Sequence, residues 1–379
     1  MKERKAVSKL DKLISELCPG GVEYVTISKV APIIRGIRVI KSQLAENGKY
    51  PVFQNSLIPM GYYEKSNQPA NTVFIISAGA AGEVGYSTID FWAADDCFSF
   101  ACSEHLHSKF LYYSLMCQQN YLFSKVRRAG VPRLARLVIE KITIPLPPLP
   151  VQREIVLILD KITELTAELT AELTAELTAR KKQYEYYRDQ LLTFDDDVPM
   201  VPLGTVAHNL DSKRRPVTKG NREVGEYPYY GASGIVDYVQ GYIFDGDYLL
   251  VSEDGANLVA RVTPIAFSAS GKIWVNNHAH ILQFETYAER KFIEYYLNMI
   301  DIGRFISASA QPKLTQDKLN KIPVPAPPLE EQIRIVDILD KFNTLTTDIS
   351  NGLPAEITAR NKQYEYYRNK LLTFRDVDA

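Results

Sequence analysis

The sequence contains no set of residues with the spacing of a familiar catalytic site. It has no G-x-x-x-x-G-K-[ST] segment for nucleotide phosphates and no N-P-P-[FY] segment for methylating a base. The glycine-rich segment 78–82 follows a strand-like run, but no helix pattern follows it, so it does not predict a cofactor site. His105 and His107, like His278 and His280, would share one face of a strand, without an apparent third metal ligand. The sequence therefore predicts neither catalysis nor a bound metal ion.

Side chains suited to reading nucleic acid are more numerous. Guanidinium and amide groups form paired hydrogen bonds with guanine and adenine edges, and basic groups suit phosphates. In the first half of the chain the candidates are Arg35, Arg38, Lys41, Gln54, Asn55, Arg127, Arg128, Arg133 and Arg136. In the second half they are Lys213, Arg214, Arg215, Lys219, Arg222, Tyr230, Ser233, Asp254, Asn257, Gln311 and Lys313. Many of these are expected to be solvated surface charges. Arg133 and Lys313 are the first choices, because each lies in a matching Pro-basic-Leu triplet.

A duplication explains why the two halves have matching positions. The segments 152–194 and 332–374 align at a constant separation of 180 residues, as from Tyr184 to Tyr364. The proline-rich segments before them, IPLPPL and VPAPPL, align as well. The globular segments that precede each copy share a plan but little sequence. The chain is therefore predicted to be a tandem repeat of one globular segment followed by one long helical segment.

The first long segment, 152–194, predicts one continuous helix. It has no interior Pro or Gly and is rich in Ala, Leu, Glu, Lys, Arg and Gln, which are strong helix formers. At about 1.5 Å per residue such a helix would be roughly 60 Å long, too long for one globular core to cover. We expect it to pair with the second long segment. The pairing is predicted to be antiparallel, because two equal units close most simply about an approximate two-fold axis.

Three TAEL tetrads, residues 166–177, lie in the middle of this helix. A four-residue step advances a helix by roughly 6 Å and about 40°, so one tetrad more or less changes its length while nearly preserving the apolar stripe. The plainer interpretation is a repetitive solvated helix, and the more specific one is a spacer of quantised length. In the second long segment, Asn351-Gly352-Leu353-Pro354 predicts a break, with glycine as a cap and proline as a restart.

Each globular segment predicts a mixed α/β domain. Short β-like runs (YVTI, YPVF and TVFIIS; then MVPL, YPYYGASG, DYLLVS and KIWVNN) precede helix patterns that begin at Lys109 and Arg290. An amphipathic helix over 6–17 echoes the end of the long helix, which predicts that the two chain ends meet. The predicted domains are 1–143 (N-terminal helix and first globular domain), 144–198 (first spacer helix), 199–323 (second globular domain) and 324–379 (second spacer helix).

Composition and charge are those of a soluble protein, with 46% hydrophobic and 23% charged residues and a net charge of −1. No apolar run approaches the roughly 18 residues needed to span a bilayer, and the basic N-terminus lacks the apolar region of a secretory signal. The four cysteines form no C-x-x-C pair, which predicts reduced thiols in the cytoplasm. Residues 22–143 carry 13 basic and 9 acidic side chains, whereas 144–199 carry 6 and 11. Nucleic acid is therefore expected at the globular segments rather than at the helices.

The two ILDK…QYEYYR…LLTF helical regions, the proline-rich segments before them and the TAEL tetrads together resemble the specificity subunit of type I restriction-modification systems. The likeness covers the whole chain and is strongest to a subfamily whose members differ in tetrad number. It implies a mixed α/β fold with two globular target-recognition domains separated by two long antiparallel helices, a coiled-coil spacer, in a pseudo-two-fold internal repeat. Each domain would read one half of a split site in double-stranded DNA.

The same resemblance implies partners. The helices would hold two methyltransferase subunits, restriction subunits would join the complex, and no membrane would be involved. Adenine methylation with S-adenosylmethionine, and cleavage driven by ATP with Mg, would reside in those subunits. This chain would then be non-catalytic and bind no cofactor itself. We expect methyltransferase contacts at the repeated tyrosines and leucines Tyr184, Tyr187, Leu191, Tyr364, Tyr367 and Leu371.

Two other interpretations remain open from the residues alone: a remnant of a fused methyltransferase-nuclease, and a coiled-coil scaffold without DNA affinity. The geometry of B-DNA is consistent with a specificity subunit. Two domains that read the same face need centres about one turn apart, roughly 34–36 Å. With half-sites of about 3–5 base pairs, an unread spacer of roughly 6–7 base pairs is predicted.

Overall fold

The computed structural model describes residues 8–45, 48–307, 311–347 and 352–377. These residues form two compact units. Unit 1 falls within Met1–Glu172 and Ile357–Ala379, and unit 2 within Leu173–Glu356. We call the globular part of unit 1 the first head (residues 22–145) and that of unit 2 the second head (residues 200–325).

The first head is a mixed α/β domain that follows a short N-terminal helix. The elements are α1 (Lys9–Leu17), β1 (Tyr24–Thr26), α2 (Ile27–Val30), β2 (Ile33–Arg35), a 3-10 turn (Lys41–Gln43), β3 (Tyr50–Phe53), β4 (Tyr62–Tyr63), β5 (Thr72–Ile76), β6 (Val84–Ser87), β7 (Trp92–Ala93), β8 (Cys97–Phe100), α3 (Ser108–Cys117), α4 (Gln119–Ser124), α5 (Arg136–Glu140) and β9 (Thr143–Pro145). The main sheet has the order β2-β8-β5-β6, and β4-β3-β7 form a second sheet. Strand β5 is buried along its whole length, and α3 packs against β5 and β6.

The long helix α6 (Leu149–Leu191) is unbroken over 43 residues, as its composition predicts. Its first part, through Glu172, belongs to unit 1 and the remainder to unit 2. No helix in the described ranges has the length and apolar character needed to cross a bilayer.

The second head repeats the plan with longer strands. The elements are β10 (Met200–Pro202), α7 (Leu203–Val206), β11 (His208–Asn209), two 3-10 turns (Asp211–Lys213 and Lys219–Asn221), β12 (Val224–Gly231), β13 (Gly234–Val239), β14 (Phe244–Ser252), α8 (Asn257–Ala260), β15 (Ala266–Val275), β16 (Ala279–Gln283), α9 (Tyr287–Met299), a third 3-10 turn (Gly303–Phe305), α10 (Gln316–Asn320) and β17 (Pro323–Pro325). One sheet has the order β11-β16-β14-β15-β12-β13.

The second long segment forms two helices, α11 (Leu329–Thr347) and α12 (Leu353–Leu371). Helix α12 begins one residue after Gly352 with Pro354 in its first turn, where proline costs least because its missing N–H would have no partner. The predicted break is confirmed at Gly352-Leu353-Pro354, whereas Asn351 lies outside the described residues.

Two other helices differ from the sequence prediction. Residues 6 and 7 lie outside the described ranges, and α1 starts at Lys9 after the capping residue Ser8. The single helix predicted from Lys109 is in fact two, α3 and α4, which meet at Gln118. The Gln118 side-chain amide donates to the Thr143 carbonyl at 2.8 Å, which fixes the junction of the two helices against the head.

The two heads share specific contacts although their sequences differ. Strands β3 and β7 pair in parallel at Val52 and Trp92, and β12 and β15 pair in parallel at Tyr229 and Trp274. In the first head the Trp92 indole N–H donates to the Ile37 carbonyl at 2.8 Å. In the second, the Trp274 indole donates to the Arg215 carbonyl at 2.6 Å. The same framework therefore recurs in both heads.

Each head attaches to a long helix through one aspartate of the repeated ILDK motif. In unit 1, Asp160 accepts from the Tyr113 hydroxyl at 2.6 Å and pairs with Lys109 at 2.8 Å. In unit 2, Asp340 accepts from the hydroxyls of Tyr287 and Tyr295. Burial, followed by the Asp340 hydrogen bond, raises the pKa of Tyr287 to about 12. These bonds fix the start of each long helix against its own head.

The N-terminal and C-terminal segments of the chain meet in unit 1. The Val22 N–H donates to the Arg375 carbonyl at 2.8 Å, and the Val377 N–H donates to the Val22 carbonyl at 3.3 Å. Leu372, just beyond α12, is buried in the core of the first head. The prediction that the two ends of the chain meet is confirmed for these segments.

Candidate nucleic-acid interface

The loop after β5 is the centre of the candidate interface in the first head. Ala78 forms an antiparallel bridge with Arg133, and the Leu134 N–H donates to the Ser77 carbonyl at 2.8 Å. Gly79 has a φ of 85°, and a Cβ there would lie 2.7 Å from the Asn55 carbonyl oxygen, so this position requires glycine. The backbone of Arg133 is thereby fixed to the end of a buried strand, while its side chain is exposed.

Two other predicted residues, Asn55 and Arg127, contact this site directly, and two more, Arg35 and Gln54, share a neighbouring partner. Asn55 accepts from the Ala80 N–H at 2.9 Å, and Arg127 exchanges two backbone hydrogen bonds with Arg133 at 2.9 and 3.0 Å. Arg35 and Gln54 both bond to Asp95, at 3.3 and 3.5 Å. We call residues 127–134 the first reading loop. Basic side chains of the loop and the amide of Asn55 thus lie at one place, as base and phosphate contacts require.

The remaining predicted residues of the first head lie elsewhere on its surface. Arg38 and Lys41 are exposed between β2 and β3, and Arg128 is exposed beside Arg127. Arg136 on α5 pairs with Glu140 at 2.7 Å along the same helix. Their assignment to DNA stays a prediction.

The second head holds the matching loop in the same way. Asp254 forms an antiparallel bridge with Lys313, the Leu314 N–H donates to the Glu253 carbonyl at 2.8 Å, and the Gly255 N–H donates to the Pro312 carbonyl at 3.1 Å. Gly255 has a φ of 106°, which matches the role of Gly79. We call residues 311–314 the second reading loop. Two residues predicted from the triplet alone, Arg133 and Lys313, therefore occupy equivalent positions.

A buried network of charged residues lies directly beneath the second reading loop. The Glu253 carboxylate binds Arg214 at 2.6 Å and Lys313 at 3.1 Å. The Asp211 carboxylate binds Arg214 at 3.2 Å and His280 at 2.5 Å. Burial acts to raise the pKa of Asp211, but the hydrogen bond and charge of His280, with Arg214, hold that pKa below its usual value. Two acids and three basic side chains thus compensate one another inside the head.

Among the described residues, three members of this network lie close enough together to be considered as metal ligands. The ligand atoms of Asp211, Glu253 and His280 lie within 4.8 Å of one another. Arg214 already pairs with both carboxylates, and Nε2 of His280 faces the Leu314 carbonyl at 2.8 Å. Both nitrogens of His280 are therefore engaged with oxygen atoms, which leaves no lone pair directed at a cation. The group is an ion-paired network, and we assign no metal to it. His278, predicted beside His280, contacts Asp254 instead.

The other predicted basic residues of the second head differ in exposure. Lys213, Arg215 and Lys219 are exposed. The Arg214 side chain is only 12% exposed, because its guanidinium points into the head and pairs with the Asp211 and Glu253 carboxylates. Arg222 lies over the Tyr229 ring at 4.4 Å and pairs with Asp237 at 3.1 Å.

The predicted polar residues of this head also occupy different surroundings. Ser233 is exposed between β12 and β13, and Tyr230 is half-buried and stacks on Phe267. Asn257 binds the backbone of Thr263 at both its amide oxygen and nitrogen. Gln311 is exposed at the start of the second reading loop. Ser233 and Gln311 are thus the better placed to meet DNA.

The predicted partner-binding residues divide between half-buried and exposed positions. Tyr184 and Leu191 pack against the core of the second head, and Leu371 packs against that of the first. Tyr364 accepts a hydrogen bond from Thr163 at 3.1 Å. Tyr187 stacks on Phe342, whereas Tyr367 lines a cavity of about 300 Å³ with Leu165 and Leu169.

Sequence reasoning missed the most exposed tyrosines of these helices, Tyr186 and Tyr366, which are 61% and 60% exposed. Each packs edge-on against its neighbour, Tyr187 or Tyr367, at 5.4 Å between ring centroids. Helical spacing could have indicated them, because Tyr184 and Leu191 share the face that packs against the second head and position 186 lies on the opposite face.

Known proteins resemble this chain in both heads and both long segments. The model of the type I restriction modification DNA specificity domain matches residues 19–179 and again residues 195–359. The EcoprrI type I specificity subunit of Escherichia coli is 31% identical over 388 residues, which cover 91% of this chain and 92% of that one. A Haemophilus influenzae protein named as a type I specificity subunit is 37% identical over 186 residues, 48% of each chain.

Solved structures show the same fold. A type I S subunit from M. genitalium superposes with a TM-score of 0.52 at 19% identity, covering 93% of this chain and 96% of that one. The HsdS subunit of Thermoanaerobacter tengcongensis gives a TM-score of 0.51 at 18% identity, covering 94% and 97%. A chain from a structure of type I R-M complex assembly gives 0.64 at 16% identity, covering 94% and 98%.

Proposed function

We propose, from the premise that this chain belongs to the type I restriction-modification DNA specificity family, that it is a DNA-specificity subunit whose two heads each read one half of a bipartite site. One observation carries the proposal: both heads fix a basic residue, Arg133 or Lys313, to the end of a buried strand through the same bridge. The chain is a non-catalytic subunit, as its family membership indicates.

The two heads are proposed to read different half-sites. The first presents Arg127, Arg133 and Asn55 around its reading loop, whereas the second presents Lys313 and Gln311. Arginine and asparagine favour paired contacts with guanine and adenine, and lysine acts as a point charge. Different side chains on one framework are what two unrelated half-sites require.

The long helices are proposed to form an antiparallel, coiled-coil-like spacer with pseudo-two-fold symmetry, in a protein of the TAEL-repeat subfamily. In unit 1 the start of α6 lies beside the end of α12, as the bond between Thr163 and Tyr364 indicates. In unit 2 the end of α6 lies beside α11, where Tyr187 stacks on Phe342. The proposed domains are 1–143, 144–198, 199–323 and 324–379.

The partners are proposed to be double-stranded DNA, two methyltransferase subunits and restriction subunits, in the cytoplasm. The exposed pairs Tyr186-Tyr187 and Tyr366-Tyr367 supply two equivalent aromatic surfaces, and this equivalence supports two copies of one partner. S-adenosylmethionine, ATP and Mg are proposed to bind to those partner subunits.

The test is to produce the chain with the methyltransferase encoded beside it and to map modified adenines across the host genome. We expect a two-part motif with a fixed unread gap, modified once on each strand. A stable complex that binds DNA without modifying it would contradict the proposal. A complex without salt-dependent DNA binding would instead indicate a scaffold, because phosphate contacts always produce salt dependence. Modification by this chain alone would indicate a fused methyltransferase.

Deletion of Thr170 to Leu173 tests the spacer. The variant helix would be shorter by about 6 Å, so we expect both half-sites to persist with a gap shorter by about one or two base pairs. The control is Glu172→Gln, which keeps the helix length and should keep the gap. The same gap in the deletion variant would disprove the role of the tetrads as a ruler.

A further inference from the structure

The second reading loop is anchored by side chains that have no equivalent in the first head. His280 on β16 has no solvent exposure, and its Nε2 donates to the Leu314 carbonyl at 2.8 Å. Its Nδ1 lies 2.5 Å from the Asp211 carboxylate, whose other oxygen accepts from the Ile281 N–H at 3.0 Å. Leu314 immediately follows Lys313 in the loop. The imidazole therefore links a buried carboxylate to the backbone of the segment proposed to meet DNA.

The strand register shows what the first head has in this position. Val251 pairs with His280 in the second head, and the matching residues in the first are Ile75 and Phe98. Phe98 is 8% exposed and belongs to the same apolar core as Leu134. The position that holds a hydrogen-bonding imidazole in the second head is therefore apolar in the first.

The protonation state of His280 follows from its neighbours. Both atoms that face the ring nitrogens, a carboxylate oxygen and a carbonyl oxygen, are acceptors, so both nitrogens carry a proton. The charged groups around the ring are Asp211, Glu253 at 3.7 Å from Nδ1, and Arg214, which binds both acids. Lys313 completes the group by pairing with Glu253, with its side chain 50% exposed.

This arrangement allows Lys313 to leave the network without an uncompensated buried charge. If Lys313 turns toward a phosphate, Glu253 keeps Arg214 and Asp211 keeps the His280 ring. A buried carboxylate that lost its only partner would oppose such a movement strongly. The side chain at the surface is therefore able to move, while the loop backbone beneath it stays fixed through Leu314.

We propose that His280, together with Asp211, is the positioning pair of the second head, which fixes the second reading loop so that its contacts fall on the correct base pairs. This inference rests on the proposed function. The pair acts through Leu314 and Lys313 rather than by touching DNA, and it governs one half-site only.

The experiment uses the complex of the full chain with its methyltransferase subunit and duplexes that carry the mapped site. Equilibrium binding is measured to the correct duplex and to duplexes with one base pair changed in either half. His280→Phe installs the residue found at the matching position of the first head. We expect this variant to lower discrimination, the ratio of affinities for the correct and the changed duplex, by about tenfold at one half-site, which is the scale of one base contact. Discrimination at the other half-site should stay unchanged. The matched control is His208→Phe at an exposed histidine of the same head.

A second variant covers the case in which His280→Phe does not fold. Asp211→Asn keeps the shape and the bond to Ile281 but removes the charge that orients the ring. We expect a loss at the same half-site of about threefold, the scale of one weakened hydrogen bond. Nitrogen-15 histidine spectra of the wild-type complex should show a ring protonated at both nitrogens, and that signal should change in Asp211→Asn but not in His208→Phe.

The outcomes separate this inference from the proposed function. Unchanged discrimination in the folded variants, or equal loss at both half-sites, would overturn the positioning role while the bipartite site remained. A ring with one unprotonated nitrogen would overturn it as well. A wild-type complex without bipartite preference would instead overturn the proposed function itself.

Discussion

In the first head Arg133 forms its bridge with Ala78, an uncharged residue, whereas in the second head Lys313 pairs with the Glu253 carboxylate, which also binds Arg214. The hydrogen bonds from Leu134 to Ser77 and from Leu314 to Glu253 are equivalent, but the charges around the two positions are not. Arg133 has no ion pair with an acid within the described part of the chain, while Lys313 is partly neutralised. A shared framework can therefore carry two reading loops of different electrostatic strength.

A second pair of positions shows the same contrast. The indole of Trp92 binds the carbonyl of Ile37, and that of Trp274 binds the carbonyl of Arg215. Both heads keep this hydrogen bond to a backbone carbonyl. The residue that provides the carbonyl has an exposed side chain, which is aliphatic at Ile37 and cationic at Arg215. Framework residues and surface residues thus change independently of each other.

The largest predicted effect concerns the start of each long helix. Gln152 is fully buried and makes three hydrogen bonds, to His105, His107 and Pro147, whereas the repeated Gln332 is half-buried and binds Pro327. Gln152→Ala should lower the unfolding free energy of unit 1 by about 3 kcal/mol, because three backbone groups lose their partner. Gln332→Ala serves as the matched variant and should cost unit 2 less than about 1 kcal/mol. Hydrogen-exchange mass spectrometry of peptides from each unit measures both. Equal losses would show that the two attachments are equivalent.

An intermediate effect is predicted for the reading loops. Arg133→Ala should weaken DNA binding by the complex about fivefold at physiological salt and lower the salt-dependence slope by about one. Lys313→Ala should have a smaller effect, because Glu253 already neutralises part of its charge. Binding titrations over a range of salt concentrations measure both, with Lys141→Ala as the control for an exposed charge in the first head. A larger effect at Lys313 would reverse the ranking of the two heads.

The smallest predicted effect is a gain. Glu253→Gln removes a negative charge beneath the second reading loop, so Arg214 and Lys313 regain net positive charge. We expect binding to DNA of unrelated sequence to rise about threefold with a steeper salt dependence. Glu226→Gln, at an exposed acid of the same head, should change it less. No gain in Glu253→Gln would mean that this carboxylate does not moderate the charge of the loop.

Local patterns were enough to predict the long helices and the repeat. Helix-forming composition determines α6, and the Gly352-Leu353-Pro354 sequence determines where α12 begins. Arg133 and Lys313 were found because a triplet recurs at equivalent positions. These features depend on residues close together in the chain, and for that reason the sequence reveals them.

The buried network was not predicted, because its members come from separate strands and turns. Asp211, Glu253 and His280 meet only after β14 and β16 have paired. Arg214 was predicted to read DNA with Lys213 and Arg215, yet the 3-10 turn at Asp211–Lys213 directs only Arg214 inward. A run of basic residues does not reveal which of its members faces the interior.

The meeting of the chain ends has a consequence for biosynthesis. Unit 2 lies within one continuous stretch of sequence, but the core of unit 1 includes Leu372, and Val22 pairs with Arg375. During translation the middle of the chain can complete its domain while the N-terminal domain still lacks part of its core. The first head therefore leaves the ribosome before unit 2 but is completed after it, and a product that lacks α12 and the segment after it would expose an incomplete first head to proteases.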